Sequence, residues 1–181
     1  MYEFLLIRHC HATGQAPDAP LSHEGVREAR QLASVLNSYG VDRLVSSPFQ
    51  RARDTIEPFA QAKKLALKID DRLSERLLAD PPVADWREYI RRSFDDYDSR
   101  APGGESARDV LLRGWAAISD VLAAENNLPA FVTHGHFIAL VLHSLDDKFS
   151  YSGWESLRNP DIFRVYGPSR SNFQFERLPF A

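Results

Sequence analysis

The sequence predicts a three-layer α/β/α sandwich with a mainly parallel central sheet and an antiparallel hairpin at one edge. Three observations predict it. Short, continuous apolar runs at 2–7 and 130–133 have the length and composition of strands buried on both faces. Amphipathic helical segments alternate with such strands along most of the chain. The tail carries two further strand-like pieces separated by a turn.

The elements follow in order. Residues 2–7 form the first strand, which ends abruptly in Arg8-His9-Cys10-His11. A polar, Pro-containing loop from Gly14 to Pro20 leads to Ser22, a helix cap with Glu24 in the positive first turn. The residue three after Ser22 is Gly25, so no capping box forms. Val26, Ala29, Leu32, Ala33 and Leu36 recur at helical spacing and predict an inward face, and Gly40 stops the helix. A second strand spans 42–46. Ser47 then reads as a cap, with Pro48 at the first helical position and Gln50 completing a capping box. Pro58 should kink or break that helix.

Residues 66–70 suit a third strand. The stretch 77–104 is irregular, mixes acids, arginines and the aromatics Trp86, Tyr89, Phe94 and Tyr97, and has room for one short helix. Gly103-Gly104-Glu105-Ser106 opens a long amphipathic helix running to about Asn126. Residues 130–133 are a buried strand ending at His134-Gly135-His136, and Phe137 to Leu145 reads as helical. Phe163–Tyr166 and Asn172–Phe175 make the edge hairpin around Gly167-Pro168-Ser169. With no repeat, low-complexity tract or linker, residues 1–181 read as a single domain with a lid-like insertion at about 77–104.

Bulk properties exclude several classes. Lys and Arg number 22 against 25 Asp and Glu, a net charge of −3, unlike a nucleic-acid binder held by charge. No apolar run approaches the ~18 residues of a membrane span. Glu3 lies where a signal peptide would be positive, and Cys10 is the only cysteine, so the expectation is a cytoplasmic protein without internal disulfides. The oligomeric state is not legible.

In parallel sheets, ligands bind at the carboxyl ends of the strands. Here one strand runs into Arg8-His9, another into His134, and a third leads to a capped helix carrying Arg51. Three segments thus deliver cations to one rim. A phosphoryl group suits such a rim. Arginine offers a fixed fork of donors, helix N-termini add N–H groups, and a neutral imidazole can attack phosphorus. A carboxylic acid must protonate the leaving alkoxide, and Arg72-Leu73-Ser74-Glu75-Arg76 is a candidate source.

Leu6-Ile7-Arg8-His9, Ser46-Ser47-Pro48-Phe49-Gln50-Arg51-Ala52, Leu73-Ser74-Glu75, Gly103-Gly104-Glu105-Ser106 and Val132-Thr133-His134-Gly135 together resemble the histidine phosphatase superfamily, which includes cofactor-dependent phosphoglycerate mutases and many small phosphatases. The motifs stand in the family's order from residue 6 to about 140. The resemblance implies that His9 is the nucleophile and that Arg8, Arg51 and His134 surround the phosphoryl group. It makes Glu75 the general acid. Gln15 falls where many members place a phosphate-contacting Asn, Gly135 lets the backbone approach phosphate, and His136 joins the substrate-binding set. The implied partner is a small phosphorylated substrate, with no cofactor and no metal. Two departures stand out: Cys10 replaces the usual Gly after the nucleophile, and His11 the usual Glu or Gln.

A cysteine phosphatase would carry Arg six residues after its nucleophile, but that position is Ala16. A metal-dependent hydrolase could use the pairs His9-Cys10-His11 and His134-Gly135-His136, yet no obvious set of Asp ligands accompanies them. Ser46 and Ser47 read as caps, Glu105 as a helix-start residue, and His23 and His143 as chemically idle. Only 29 positions separate Glu75 from Glu105, shorter than the lid of the mutases, which favours hydrolysis of a phosphomonoester over mutase-type transfer.

Overall fold

In the computed structural model, which describes residues 1–124 and 128–180, six strands form one sheet. They are β1 (Tyr2–Arg8), β2 (Arg43–Ser46), β3 (Leu67–Ile69), β4 (Pro129–Thr133), β5 (Asp161–Gly167) and β6 (Gln174–Arg177). The spatial order is β3-β2-β4-β1-β5-β6. The first four are parallel, β5 runs antiparallel to β1, and β6 antiparallel to β5. The hairpin expected at the edge is present. Its second strand starts two residues later than predicted, because a 3₁₀ turn at Arg170–Asn172 occupies the connection.

Successive strand side chains point to opposite faces, and the core divides accordingly. Phe4, Leu6, Val45 and Phe131 face α3 (Trp86–Asp95), α4 (Ala107–Leu122) and α5 (Gly135–His143). Leu5, Ile7, Leu44, Ala130 and Val132 face α1 (His23–Leu36) and α2 (Gln50–Lys63). A short α6 (Tyr151–Glu155), not anticipated from the sequence, precedes β5. Among the described residues no helix is long and apolar enough to cross a membrane.

Ser22 caps α1 by accepting the Gly25 N–H at 3.1 Å. The inward face of α1 is Gly25, Ala29, Leu32 and Leu36, whereas Val26, expected inside, is 41 % exposed. The helix closes at Asn37, with Gly40 at φ +50° in the turn beyond. Pro58 does not break α2. It sits half-exposed on the outer side while Ile56, Phe59 and Ala60 are packed inward, and that burial outweighs the lost backbone bond. Ser106 and Asp109 form a capping box at the start of α4. The predicted helix end at Asn126 lies outside the described residues.

Two helix starts depart from expectation for one reason, a partner distant in sequence. α2 begins at Gln50 with Phe49 as its cap residue, so Ser47 is not the cap. Its hydroxyl is engaged by His134, and Pro17 O accepts the Gln50 N–H at 2.8 Å. α5 begins at Gly135, two residues early, because the Glu75 carboxylate accepts the N–H groups of His136 and Phe137, both at 3.0 Å.

Candidate active site

Parallel pairing of β2, β4 and β1 places Ser47, His134 and His9 side by side at one end of the sheet. Backbone bonds lock the junction: the His9 N–H donates to Thr133 O at 3.0 Å, and the Ser47 N–H to Val132 O at 2.9 Å. The His9 and His134 rings lie 5.1 Å apart, centroid to centroid.

His9 is 7 % exposed. Its Nδ1 lies 2.7 Å from Cys10 O, an acceptor only, so Nδ1 carries the proton. Nε2 therefore keeps its lone pair and accepts from Arg51 Nε at 3.1 Å. Burial first, and then the cations Arg51 and Arg8, push the imidazolium pKa down to about 3, against the opposing pull of Cys10 O. The imidazole is thus neutral at ordinary pH, with one defined tautomer. Asn159 Nδ2 donates to His9 O at 2.7 Å and fixes the backbone behind the ring.

Two arginines flank it. Arg51, 1 % exposed, is tied through NH1 to the carbonyls of Gln15 and Ala16. Arg8 NH1 donates to the carbonyls of Leu157 and Arg158, while its Nε is buried and makes no hydrogen bond. Both guanidinium groups are held below the ordinary arginine value, chiefly by burial, and Glu75 opposes the shift in each. Gly135 lies over Arg8: a Cβ there would come within 3.1 Å of Arg8 Nε, so only glycine admits this packing without displacement. His134 is fully buried, with Nε2 2.7 Å from Ser47 Oγ and Nδ1 without a partner.

Glu75 reaches the same end of the sheet from the connection after a 3₁₀ turn at Asp71–Leu73. Oε1 accepts the N–H groups of Arg76 and Phe137, and Oε2 that of His136. A carboxylate has about four lone-pair sites. Three are used, and the remaining one is on Oε2.

Other expected residues fall elsewhere. Gln15 is exposed, and its backbone carbonyl rather than its side chain makes the contact to Arg51. His11 is drawn to α1, with Nδ1 2.8 Å from Ser22 Oγ and its N–H donating to Glu28. His136 packs against α3 and α6, with Nε2 3.1 Å from Ser93 Oγ and its ring near Phe94 and Trp154. Of the two His-x-His pairs only His9 and His134 therefore meet, and among the described residues no group of three or more His, Cys, Asp or Glu is placed to hold a metal ion. Cys10 is fully buried in the core and takes Thr55 Oγ1 on its N–H at 2.8 Å.

The sequence profile of the histidine phosphatase superfamily (branch 1) matches residues 4–164. The chain belongs to the histidine phosphatase superfamily. Within it, the chain is 32% identical to a probable phosphoglycerate mutase GpmB of Proteus mirabilis over 186 aligned positions, covering 91% of this chain and 85% of the relative. A mycobacterial glucosyl-3-phosphoglycerate phosphatase solved with inorganic phosphate superposes with a TM-score of 0.77 at 24% identity, over 98% of this chain and 96% of that one. A phosphoserine phosphatase of Entamoeba histolytica, solved with 3-phosphoglyceric acid, superposes with a TM-score of 0.71 at 18% identity, over 92% and 91%. At these identities the structures share the fold.

Sequence reasoning missed three supports of this superfamily member's site. Ser47 holds His134 rather than capping α2. Asn159 holds the backbone of His9. Glu105, read as a helix-start residue, pairs through Oε1 with Arg113 at 2.8 Å and accepts the Leu77 N–H, while Arg113 NH1 donates to the carbonyls of Arg72 and Ser74. Together they brace the segment that carries Glu75. The eight-residue spacing from Glu105 to Arg113 and the Asn159-Pro160 pair were in the sequence, but nothing local assigned them these partners.

Proposed function

We propose that this protein is a phosphatase that hydrolyses small phosphomonoesters through a phosphohistidine on His9. The observation that carries the reading is the state of His9: a buried, neutral imidazole with Nδ1 committed to Cys10 O and its unprotonated Nε2 held against the buried Arg51, with the half-buried Arg8 adding a second positive charge. A phosphoryl dianion meets Arg8 and Arg51 as fixed positive charge, with Arg8 Nε and His134 Nδ1 as further groups free to engage its oxygens. The fixed cations take the part that a metal ion plays in other phosphatases.

Nε2 of His9 forms the N–P bond as the ester P–O bond breaks. Glu75, protonated on the open lone pair of Oε2, gives that proton to the departing alkoxide. A water then attacks phosphorus and Glu75 takes its proton. The N–P bond breaks, releasing orthophosphate and returning neutral His9. Supporting this reading, the related folds include enzymes named as phosphatases. The named likeness to a probable phosphoglycerate mutase favours a second reading, in which the phosphoryl group returns to a sugar acid rather than to water.

The deciding experiment is a turnover screen over a metabolite panel that includes phosphoglycerates, with mutase activity measured in parallel and the phosphoenzyme trapped by rapid alkaline quench and assayed for base-stable, acid-labile phosphate. Phosphate release that His9→Ala abolishes, together with loss of the phosphoenzyme, is the expected result. Full activity in His9→Ala rejects the mechanism, and isomerisation of phosphoglycerates without net release favours the mutase.

A further inference from the structure

Residues 77–104 carry four arginines against six acids, and the fold separates these charges. Arg92 pairs with Glu88, Arg100 with Asp109 and Arg108 with Asp98. Arg87 and Arg91 make no ion pair among the described residues. Instead the Arg87 guanidinium lies 4.8 Å from the Trp86 ring centre, and that of Arg91 4.3 Å from the Tyr151 ring. The rings continue as one array across α3 and α6. Trp86 meets Trp154 edge-on at 6.3 Å, Tyr151 meets Trp154 at 5.3 Å, and Trp154 reaches the His136 ring at 6.4 Å. Trp86 is 39 % exposed, and both arginines are exposed.

This array is joined to the pocket at both ends. The backbone N–H of His136 donates to Glu75 Oε2, and the segment leaving α6 supplies the two carbonyls that hold Arg8. If Glu75 protonates the leaving oxygen, the alcohol half of the substrate extends past Glu75 along His136 and over the rings.

We propose that Trp86, Tyr151 and Trp154 with Arg87 and Arg91 form the leaving-group subsite, and that it takes a phosphomonoester whose alcohol half carries a flat ring bearing a carboxylate. This deepens, and for its chemistry rests on, the phosphatase reading. Aromatic faces and edges favour a ring over a flexible chain of equal size. Guanidinium groups without acidic partners meet a carboxylate in two parallel hydrogen bonds without first breaking an ion pair.

The test compares butyl, benzyl and 4-carboxybenzyl phosphate, whose leaving alcohols are of similar basicity, so that ratios of kcat/KM report binding of the alcohol half. Benzyl should exceed butyl by about tenfold, and carboxybenzyl should exceed benzyl by about fivefold. Trp86→Ala should bring the first ratio towards one, Arg91→Gln the second, and the ion-paired control Arg92→Gln should keep both. Calorimetric binding of the corresponding phosphonates to the wild-type protein reads the same ratios without turnover. Equal binding of butyl and carboxybenzyl phosphonate overturns the subsite even if all three esters are hydrolysed. Absence of turnover with graded phosphonate binding rejects the phosphatase reading instead and supports the subsite.

Discussion

Ser47 Oγ lies 2.7 Å from His134 Nε2 while accepting the Phe49 N–H at 3.3 Å. Of the two partners of this hydroxyl only the histidine nitrogen can accept its proton, and the prediction is that Ser47 donates to His134. His134 then carries its proton on Nδ1, the buried nitrogen that has no protein partner. A serine that would otherwise cap a helix thereby presents a donor to the pocket. Ser47→Ala should lower kcat/KM by one to two orders of magnitude, about the worth of an oriented transition-state donor. Ser47→Thr should recover most of it. Nitrogen-15 NMR of His134 should show the Nδ1–H tautomer in wild type and a mixture in Ser47→Ala. An unaltered tautomer in Ser47→Ala would remove this role.

Cys10 stands where the superfamily usually has glycine, yet no glycine geometry is required. Among the described residues Lys64 is the only non-glycine with positive φ. The side chain fills core space, and burial raises the thiol pKa to about 12. Iodoacetamide should therefore modify Cys10 only as the protein unfolds. Cys10→Gly should keep kcat/KM within about threefold while costing about 1–2 kcal/mol in urea denaturation, through the space vacated and the freer unfolded chain. A large loss of activity at full stability would show that the cysteine serves the chemistry.

Arg113 joins three backbone carbonyls of 72–75 to the Glu105 carboxylate. Arg113→Met leaves those carbonyls and a half-buried acid without their donor. The expected cost is about 2–4 kcal/mol of stability, measured by urea titration. Because the loosened segment carries Glu75, kcat should fall more for benzyl phosphate than for 4-nitrophenyl phosphate, whose leaving group needs no proton. An equal fall for both esters would mean that the brace does not act through Glu75.

Stability should decline with acid earlier than carboxylates alone would dictate. Burial first lowers the pKa of His9, His134 and His136, with neighbouring cations adding to it. The unfolded chain takes up protons on these rings near the ordinary histidine pKa of about 6.5, while the native state resists until His9 titrates at about 3. In that window the unfolded state binds more protons, so unfolding free energy rises with pH. The depressed carboxylates Asp70, Asp98 and Asp109 act in the same direction, but only near and below about pH 4. Urea midpoints between pH 4.5 and 6.5 should fall with a slope above one proton per molecule, roughly 1.4 kcal/mol per pH unit for each. A flat profile would mean that the rings are charged in the folded state.

Much of the candidate site was legible because Arg8, His9 and His134 sit where strands stop. The apolar runs before Arg8-His9 and before His134 announced buried strands, and Ser22 announced α1 through a bond three residues long. Expectation failed where a nearby rule met a distant partner. Pro58 was expected to kink or break α2, but the helix runs through it, with Ile56 and Phe59 packed inward. Val26 matched a helical spacing whose buried stripe in fact centres on Gly25, Ala29, Leu32 and Leu36.

The sequence by itself determined the α/β/α class, and its motifs, through their resemblance to the superfamily, nominated His9, Arg8, Arg51, Glu75 and His134 as candidate site residues. The fold class follows from periodicity and strand composition, and the nominations from short motifs, all properties of neighbours along the chain. Tertiary structure alone decided which nitrogen of His9 carries the proton, that Ser47 serves His134, that Glu75 caps α5, and that His136 faces an aromatic and arginine surface instead of the phosphate pocket. Each is a hydrogen bond or ring contact between residues about 20 to 90 positions apart, or a carbonyl whose direction depends on the fold. No local pattern encodes such a pairing until parallel strands bring the segments to one end of the sheet.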